Sequence, residues 1–279
     1  MIQPPVVIVG AGRVGLSLAR ALTRLEEPVR LLGRAARPAG PGVPAVEAEW
    51  GEALAVAGLV IIAAPDDAIA AVVERLVAVS AIREATVVLH TSGMHDASVL
   101  APLEAQGAAT GSWHPLQSIP DGDRADRFLG VPAVLEGDEA AVLVARALAV
   151  RLEMAPILEL PASAKPRYHA AAVFAANYLV VLNGIAERLA RDAGAGEDAR
   201  GLFLPIMRQV LANLDGRTAA DALTGPVRRG DVGTVMAHLG ALVGLDREAY
   251  LVLAREALEL AAEAGLEAEQ VSAMRSTLR

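Results

Sequence analysis

The feature that most constrains this chain is a glycine-rich turn directly after an apolar run. Val6–Val9 is continuous and hydrophobic, and Gly10, Gly12 and Gly15 follow before an amphipathic helical pattern. Strand, glycine turn and helix in this order give the G-x-G-x-x-G spacing the context of a dinucleotide site. Gly10 permits the tight turn, Gly12 lets a pyrophosphate approach the backbone, and Gly15 lets the helix pack closely. The alternative is an ordinary glycine-rich βα turn.

The helix after this turn would offer free N–H groups and a partial positive charge to phosphates. Together with the strand ends beside it, the turn defines a predicted cofactor site. Its predicted residues are Gly10, Gly12, Arg13, Val14, Gly15, Arg34, Ala64, His90 and Thr91.

The end of the second predicted strand, Val29–Leu32, bears on which dinucleotide is bound. An NAD-preferring site carries an acidic residue there for the ribose hydroxyls. This chain has no acid at that position, and Arg34 and Arg37 lie nearby. A guanidinium suits a 2′-phosphate better than a diol. We therefore expect NADP over NAD; alternatively, both arginines are solvated in a loop that continues into Pro38–Pro44.

Apolar runs alternate with helical patterns up to about residue 160 and then stop. The predicted strands are Leu59–Ala64, Thr86–His90, Ala108–Trp113, Val131–Glu136 and Ala155–Leu160. Strands alternating with helices predict an α/β fold with a doubly wound parallel sheet. Everything after Leu160 has helical periodicity. We predict a dinucleotide-binding domain at 1–160 and an all-α substrate domain at 161–279.

Polar side chains at predicted strand ends are candidates for chemistry, because ligands of such sheets bind beyond the carboxyl ends of strands. His90 and His114 lie at the ends of successive strands. One histidine alone is more often structural, but two at neighbouring strand ends favour a functional role for at least one. We expect His114 to shape the nicotinamide pocket.

The helix that starts near Lys165 carries two further candidates, His169 and Asn177. Steps of four keep side chains on one face, so both would line one wall. His169 would be the general acid/base, since imidazole titrates near neutral pH, and Asn177 would position the reacting oxygen. The alternative is that both are buried polar residues that fasten the helix to the sheet.

Arg228 and Arg229 lie in a Gly/Pro-rich loop between later helices. A guanidinium is well shaped to hold a carboxylate, so one of them would bind an anionic substrate. The alternative is that both are solvated.

Composition excludes several classes of protein. There is no cysteine, which rules out disulfides, thiolate metal sites and a cysteine nucleophile, and no metal site is predicted. The net charge of −8 argues against nucleic-acid or acidic-membrane partners. The apolar run Ala170–Val181 is interrupted by Asn177 and is too short to cross a bilayer. No basic segment precedes Val6–Val9, so a signal peptide is not expected and a cytoplasmic location is.

Six motifs in this order resemble a bacterial family that joins a Rossmann-like NADP-binding domain to a helical C-terminal domain of unknown function. They are Gly10–Gly15, Ala64–Ala68, His90–Gly93, Ser112–Leu116, Tyr168–Ala171 with Asn177, and Leu223–Asp231. The resemblance spans nearly the whole chain and implies an oxidoreductase that forms a homodimer through its helical domain. More distantly, the layout is similar to pyrroline-5-carboxylate reductases, ketopantoate reductases and the 6-phosphogluconate dehydrogenase group.

In that wider group, a lysine and an asparagine on the first long helix often transfer the proton of the substrate and bind its oxygen. By position His169 and Asn177 are similar to them, whereas Lys165 lies nearer the helix start and is followed by Pro166. A lysine mechanism is therefore not carried over. Prephenate and arogenate dehydrogenases also have a strand-end His-Pro segment and a helical dimer domain, which makes them a third possibility.

These observations predict an NADP-dependent oxidoreductase that moves a hydride between nicotinamide and a small carbonyl, imine or hydroxy acid in the interdomain cleft. The alternative is an NADP-binding sensor or regulator without turnover, because one histidine and one asparagine are few residues for a catalytic site. Whether the protein is an enzyme stays open at this point, although catalysis is favoured.

Overall fold

A sheet of eight strands organises the first part of the chain. The computed structural model describes residues 4–122 and 124–279. The strands are β1 (Val6–Val9), β2 (Val29–Leu32), β3 (Val46–Glu47), β4 (Leu59–Ile62), β5 (Val87–His90), β6 (Ala109–Pro115), β7 (Ala133–Gly137) and β8 (Ile157–Glu159). Their order across the sheet is β3-β2-β1-β4-β5-β6-β7-β8.

Helices connect most of these strands, and further helices follow them. The helices are α1 (Arg13–Arg24), α2 (Gly51–Val56), α3 (Ile69–Val79), α4 (Ala101–Glu104), α5 (Glu139–Arg151), α6 (Lys165–Ala172), α7 (Tyr178–Ala190), α8 (Leu204–Asn213), α9 (Ala219–Ala222), α10 (Val232–Ala241), α11 (Gly244–Glu263) and α12 (Ala268–Thr277). The predicted fold class, a Rossmann-type α/β sheet followed by an all-helical region, is confirmed.

One pair of strands departs from the predicted parallel sheet. β6 and β7 are antiparallel, with Ser112 opposite Glu136, whereas the other neighbours are parallel. Parallel strands need a long crossover, usually a helix. In the described part of the connection, the only helical turn is the short 3₁₀ segment Asp126–Phe128. The chain therefore returns to the sheet beside β6 in the opposite direction.

Both faces of the sheet are covered, which explains why its central strands are apolar throughout. Val6 and Ile8 of β1 point into one layer, where Trp113 and Phe128 also pack. Val7 and Val9 point into the other layer, which contains Trp50. Alternate residues of one strand thus stabilise both layers.

The long helix predicted after Ser163 is not a regular α-helix throughout. A π-helical segment, Val173–Asn177, separates α6 from α7. A π turn closes i→i+5 bonds and shifts the register of the side chains that follow. The step of four that would align Asn177 with His169 is therefore interrupted, and Asn177 is exposed.

The chain divides into two compact units, one ending at Asn177 and the other covering Tyr178–Arg279. The last strand ends at Glu159, close to the predicted domain boundary, but α6 belongs to the first unit. The second unit has its own small core, formed by Val227, Val235, Ala254, Leu258, Met274 and Leu278. One helical stretch among the described residues, Ala162–Ala199, is long and apolar enough to cross a membrane by length and composition.

Candidate active site

The glycine turn has the geometry expected of a dinucleotide cradle. Gly10 has φ +118°, and a Cβ there would lie 2.3 Å from the carbonyl oxygen of Ala63. A Cβ on Gly15 would lie 1.8 Å from the carbonyl oxygen of Gly10. Gly12 differs, because no atom lies within 4 Å of the position of an added Cβ. The backbone fold thus requires Gly10 and Gly15, whereas Gly12 leaves open space at the start of α1.

The start of α1 suits an anion. Its first-turn N–H groups have no acceptor within the helix, and its first turn contains no acidic residue. Arg13 is exposed at the first helical position, and Val14 packs partly against the core. These residues would hold the pyrophosphate of a bound dinucleotide.

The two arginines after β2 are both exposed. Arg37 donates to the carbonyl oxygen of Ala11 at 3.1 Å, so it braces the glycine turn from the side. Arg34 lies two residues after the end of β2, and its role toward a 2′-phosphate stays a prediction.

His90 is fully buried and orders the loop that follows β5. Its Nδ1 accepts from the backbone N–H of Ser92 at 3.2 Å, so its Nε2 carries the proton and donates to the carbonyl oxygen of Asp96 at 3.1 Å. Burial lowers the pKa of His90 to about 4. Both ring nitrogens are occupied by backbone, which gives no support to the predicted direct contact with a cofactor.

Lys165 is the most unusual residue of the site. It is 0% exposed, and it is the only lysine of the chain. Its Nζ donates to the carbonyl oxygen of Ser92 at 2.9 Å and to Oγ of Ser112 at 2.6 Å. Burial lowers its pKa to about 8, and the carboxylates of Glu136, Asp96 and Asp66 oppose that shift. Lys165 ties the first turn of α6 to the ends of β5 and β6.

The rings of His114 and His169 both pack against Gly93. A Cβ on Gly93 would lie 2.8 Å from Nδ1 of His169 and 2.9 Å from Nε2 of His114. The two nitrogens therefore both lie beside Gly93, where only a glycine leaves room for the two rings. Nδ1 of His169 is buried and has no hydrogen-bond partner among residues 4–122 and 124–279. A buried polar atom without a partner is rare enough to indicate a ligand or a water molecule.

His114 is a neutral ring at physiological pH. Burial lowers its pKa to about 4, with further contributions from the Lys165 ammonium and from His169. Its Nδ1 lies 2.8 Å from the hydroxyl of Tyr168. A neutral imidazole donates or accepts a hydrogen bond but does not deliver a proton as a strong acid would.

The remaining predicted residues lie elsewhere. Thr91 and Ala64 are partly buried at the strand ends beside the glycine turn. In the second unit, Arg228 donates to the carbonyl oxygen of Ala264 at 3.0 Å, and Arg229 is exposed. Their roles toward a substrate stay predictions.

Lys165 and Tyr168 also belong to this part of the site, and the sequence pattern predicts a role for neither. Both act through contacts with residues more than fifty positions away, and periodicity does not reveal such contacts. One signal was available: in a chain of otherwise only arginine cations, a single lysine is conspicuous.

The fold and the glycine turn define a Rossmann-like class of protein, and the comparisons agree. Residues 2–115 match a Rossmann-like domain, and residues 131–272 match the domain of unknown function DUF2520. The chain belongs to the DUF2520 family. The resemblance predicted from the motifs is thereby confirmed. No curated protein matches the chain.

Solved structures share this architecture. A protein from Bacteroides fragilis described as a "putative NADP oxidoreductase" is 25% identical, with a TM-score of 0.73 over 91% of this chain and 98% of that one. A Thermotoga maritima protein is 22% identical, with a TM-score of 0.73 over 93% of this chain and 99% of that one. A reductive aminase from Aspergillus terreus, in complex with NADPH and ethyl-5-oxohexanoate, is 16% identical, with a TM-score of 0.58 over 98% of this chain and 91% of that one.

Proposed function

We propose that this protein is an NADP-dependent oxidoreductase that acts on a small carbonyl, imine or hydroxy acid. The glycine turn and the similarity to a protein described as an NADP oxidoreductase support the cofactor. The observation that carries the catalytic part is the buried Nδ1 of His169, which has no partner among the described residues and lies beside Gly93 together with Nε2 of His114.

The cofactor would lie along the carboxyl edge of the sheet. Gly10, Gly12 and the first turn of α1 would hold its pyrophosphate, and Arg34 would hold the 2′-phosphate. The histidine cluster consists of His114 and His169 beside Gly93. β4 and β5 separate β1 from β6, which carries His114, so the glycine turn and His114 are about 14 Å apart across the sheet. The bound nicotinamide supplies or accepts the hydride.

The residues of this chain orient the substrate and move its proton. His114 donates a hydrogen bond to the reacting oxygen or nitrogen. His169 delivers a proton to that atom during reduction and takes it back during oxidation, since the substrate gains one hydride and one proton in total. Lys165 fixes the backbone of Ser92, and this positions Gly93 between the two rings.

The test begins with a screen of small oxo acids, ketones and cyclic imines against NADPH, followed by variants on the best compound. His169→Ala should reduce kcat by at least about 100-fold without weakening NADPH binding. His238→Ala is the matched control, because it removes a histidine from the second unit. Wild-type turnover in His169→Ala would remove His169 from the mechanism. NADPH binding without turnover of any compound would favour the sensor.

We further propose that the protein forms a homodimer through its helical region. Large apolar side chains are exposed there, among them Val180 (73%) and Ile206 (61%). Many large apolar side chains exposed in one region favour an interaction surface there. A dimer should elute without detergent in size-exclusion chromatography with light scattering, and Val180→Asp should yield monomer. Recovery only from a detergent extract would instead favour membrane contact by Ala162–Ala199.

A cytoplasmic location of the protein stays a prediction.

A further inference from the structure

Tyr168 and His114 form a side-chain pair at the centre of the candidate site. The Tyr168 hydroxyl lies 2.8 Å from Nδ1 of His114. The rings meet edge to face, with centroids 5.6 Å apart and planes 80° apart. This contact joins α6 to the end of β6, which are 54 residues apart in sequence. Both side chains are partly buried, so the pair is held in one geometry by two elements.

The direction of this hydrogen bond follows from the protonation of the two groups. Burial raises the pKa of Tyr168 to about 12, so the hydroxyl keeps its proton. In the part of the chain that the structure describes, Nδ1 of His114 is the one acceptor bonded to that hydroxyl. An O–H that donates to Nδ1 satisfies both groups, whereas an Nδ1–H would leave the hydroxyl proton without an acceptor among the described residues. Because burial lowers the pKa of His114 to about 4, the ring carries a single proton, and a hydroxyl that donates to Nδ1 requires that proton on Nε2.

The edge of the His114 ring that carries Nε2 packs beside Gly93, and so does Nδ1 of His169. Nε2 of His114 lies 2.9 Å from the position of a Gly93 Cβ, and Nδ1 of His169 lies 2.8 Å from the same position. Nε2 thus lies in the same part of the site as the nitrogen of His169 that lacks a partner among the described residues. An N–H donor held at Nε2 of His114 favours a substrate group that accepts a hydrogen bond.

We propose that Tyr168 is a positioning residue that fixes His114 as a neutral Nε2–H donor, so that the site takes a carbonyl or hydroxyl oxygen as its reacting group. This inference rests on the proposed oxidoreductase function and narrows its substrate class. A carbonyl or alkoxide oxygen accepts the hydrogen bond, and the bond strengthens as negative charge develops during hydride addition. A protonated imine is itself a cationic donor, and it would face both the Nε2–H and the nearby Lys165 ammonium.

The chain contains its own control for the Tyr168 variant. Tyr250 and His238 form a second pair with the same geometry, with 2.9 Å between the hydroxyl and Nδ1 and 5.6 Å between ring centroids at 85°. Tyr250→Phe removes the same hydroxyl from the same kind of contact in the second unit. It therefore reports what loss of a tyrosine–histidine bond does away from the candidate site.

NMR of protein with isotopically labelled histidine tests the positioning role without turnover. There are five histidines, and His114→Gln assigns the His114 ring signals. We expect the Nε2–H tautomer in the wild type and a mixture of tautomers in Tyr168→Phe, with Tyr250→Phe leaving the His114 signals unchanged. An Nδ1–H tautomer in the wild type, or unchanged His114 signals in Tyr168→Phe, would overturn the proposal.

Kinetics test the substrate class. A cyclic ketone and the cyclic imine of the same ring size are compared with NADPH as donor. We expect turnover of the ketone, a fall of about tenfold in kcat for Tyr168→Phe, and an unchanged KM for NADPH. Turnover of the imine alone would overturn the oxygen assignment. Turnover of neither would count against the proposed function and the substrate class, while the ring spectra decide the role of Tyr168 independently.

Discussion

The buried ammonium of Lys165 leads to a prediction about stability and pH. The ordinary pKa of a lysine side chain is 10.5, and burial lowers that of Lys165 to about 8. The unfolded chain therefore binds about one more proton than the folded protein between these two pH values. Because the unfolded state binds the extra proton, the free energy of unfolding should rise with pH across this window. The total is about 3 kcal/mol, at about 1.36 kcal/mol for each pKa unit.

The sign can be checked at both ends of the window. Below pH 8 the amine is protonated in both states, and the folded protein carries the full desolvation penalty of about 3 kcal/mol. Above the unfolded pKa of 10.5 the amine is neutral in both states, and the penalty is gone. Stability is thus lowest on the acidic side of the window, as expected for a cation whose pKa is lowered by folding.

The assay is urea unfolding of the wild type and Lys165→Met at several pH values between neutral and alkaline. The unfolding free energy of the wild type minus that of Lys165→Met should rise by about 3 kcal/mol as the pH increases across the window. Arg167→Met, which removes an exposed cation from the same helix, should show no such change. Since Lys165 is the only lysine, NMR of labelled lysine gives one signal, with a midpoint near 8. Parallel stability profiles, or a midpoint near 10.5, would refute the reasoning.

Three further variants test the cofactor site, and a fourth tests the histidine cluster. Gly12→Ala adds a Cβ into open space, so it should change stability by about 1 kcal/mol or less while weakening NADPH binding, as titration and thermal unfolding would report. Gly10→Ala, at φ +118° and 2.3 Å from a carbonyl oxygen, should lose at least about 2 kcal/mol of stability. Arg34→Ser should weaken NADPH binding about tenfold or more and leave NADH binding unchanged; an equal loss for both would contradict a 2′-phosphate role. In Gly93→Ala the added Cβ lies 2.8 and 2.9 Å from the two facing rings, so their NMR signals should shift and kcat should fall by up to about 100-fold with little change in melting temperature.

The local features of this fold could be predicted from the sequence. Gly10, Gly12 and Gly15 act within one βα turn, and their spacing reports the geometry directly. The central strands are apolar runs because both faces of the sheet are covered. Neither inference needs knowledge of which distant residues meet.

The parts that depend on distant contacts could not be predicted. The antiparallel return of β7 depends on how the chain crosses the sheet after β6. The π-helical segment Val173–Asn177 interrupts the regular step of four between His169 and Asn177. The contacts of Lys165 with Ser92 and Ser112 join residues that are far apart in sequence, so its burial could not be predicted from its position in the chain. His90 looked like a ligand-facing residue at a strand end, but its ring nitrogens are bonded to the backbone of the loop it orders.

The central claim is that the glycine turn binds NADP(H) for hydride transfer. Isothermal titration of the wild-type protein with NADPH, and separately with NADH, tests it most directly. We predict saturable binding of one NADPH per chain and weaker binding of NADH. No heat of binding with NADPH at millimolar concentration, or tighter binding of NADH, would contradict the claim.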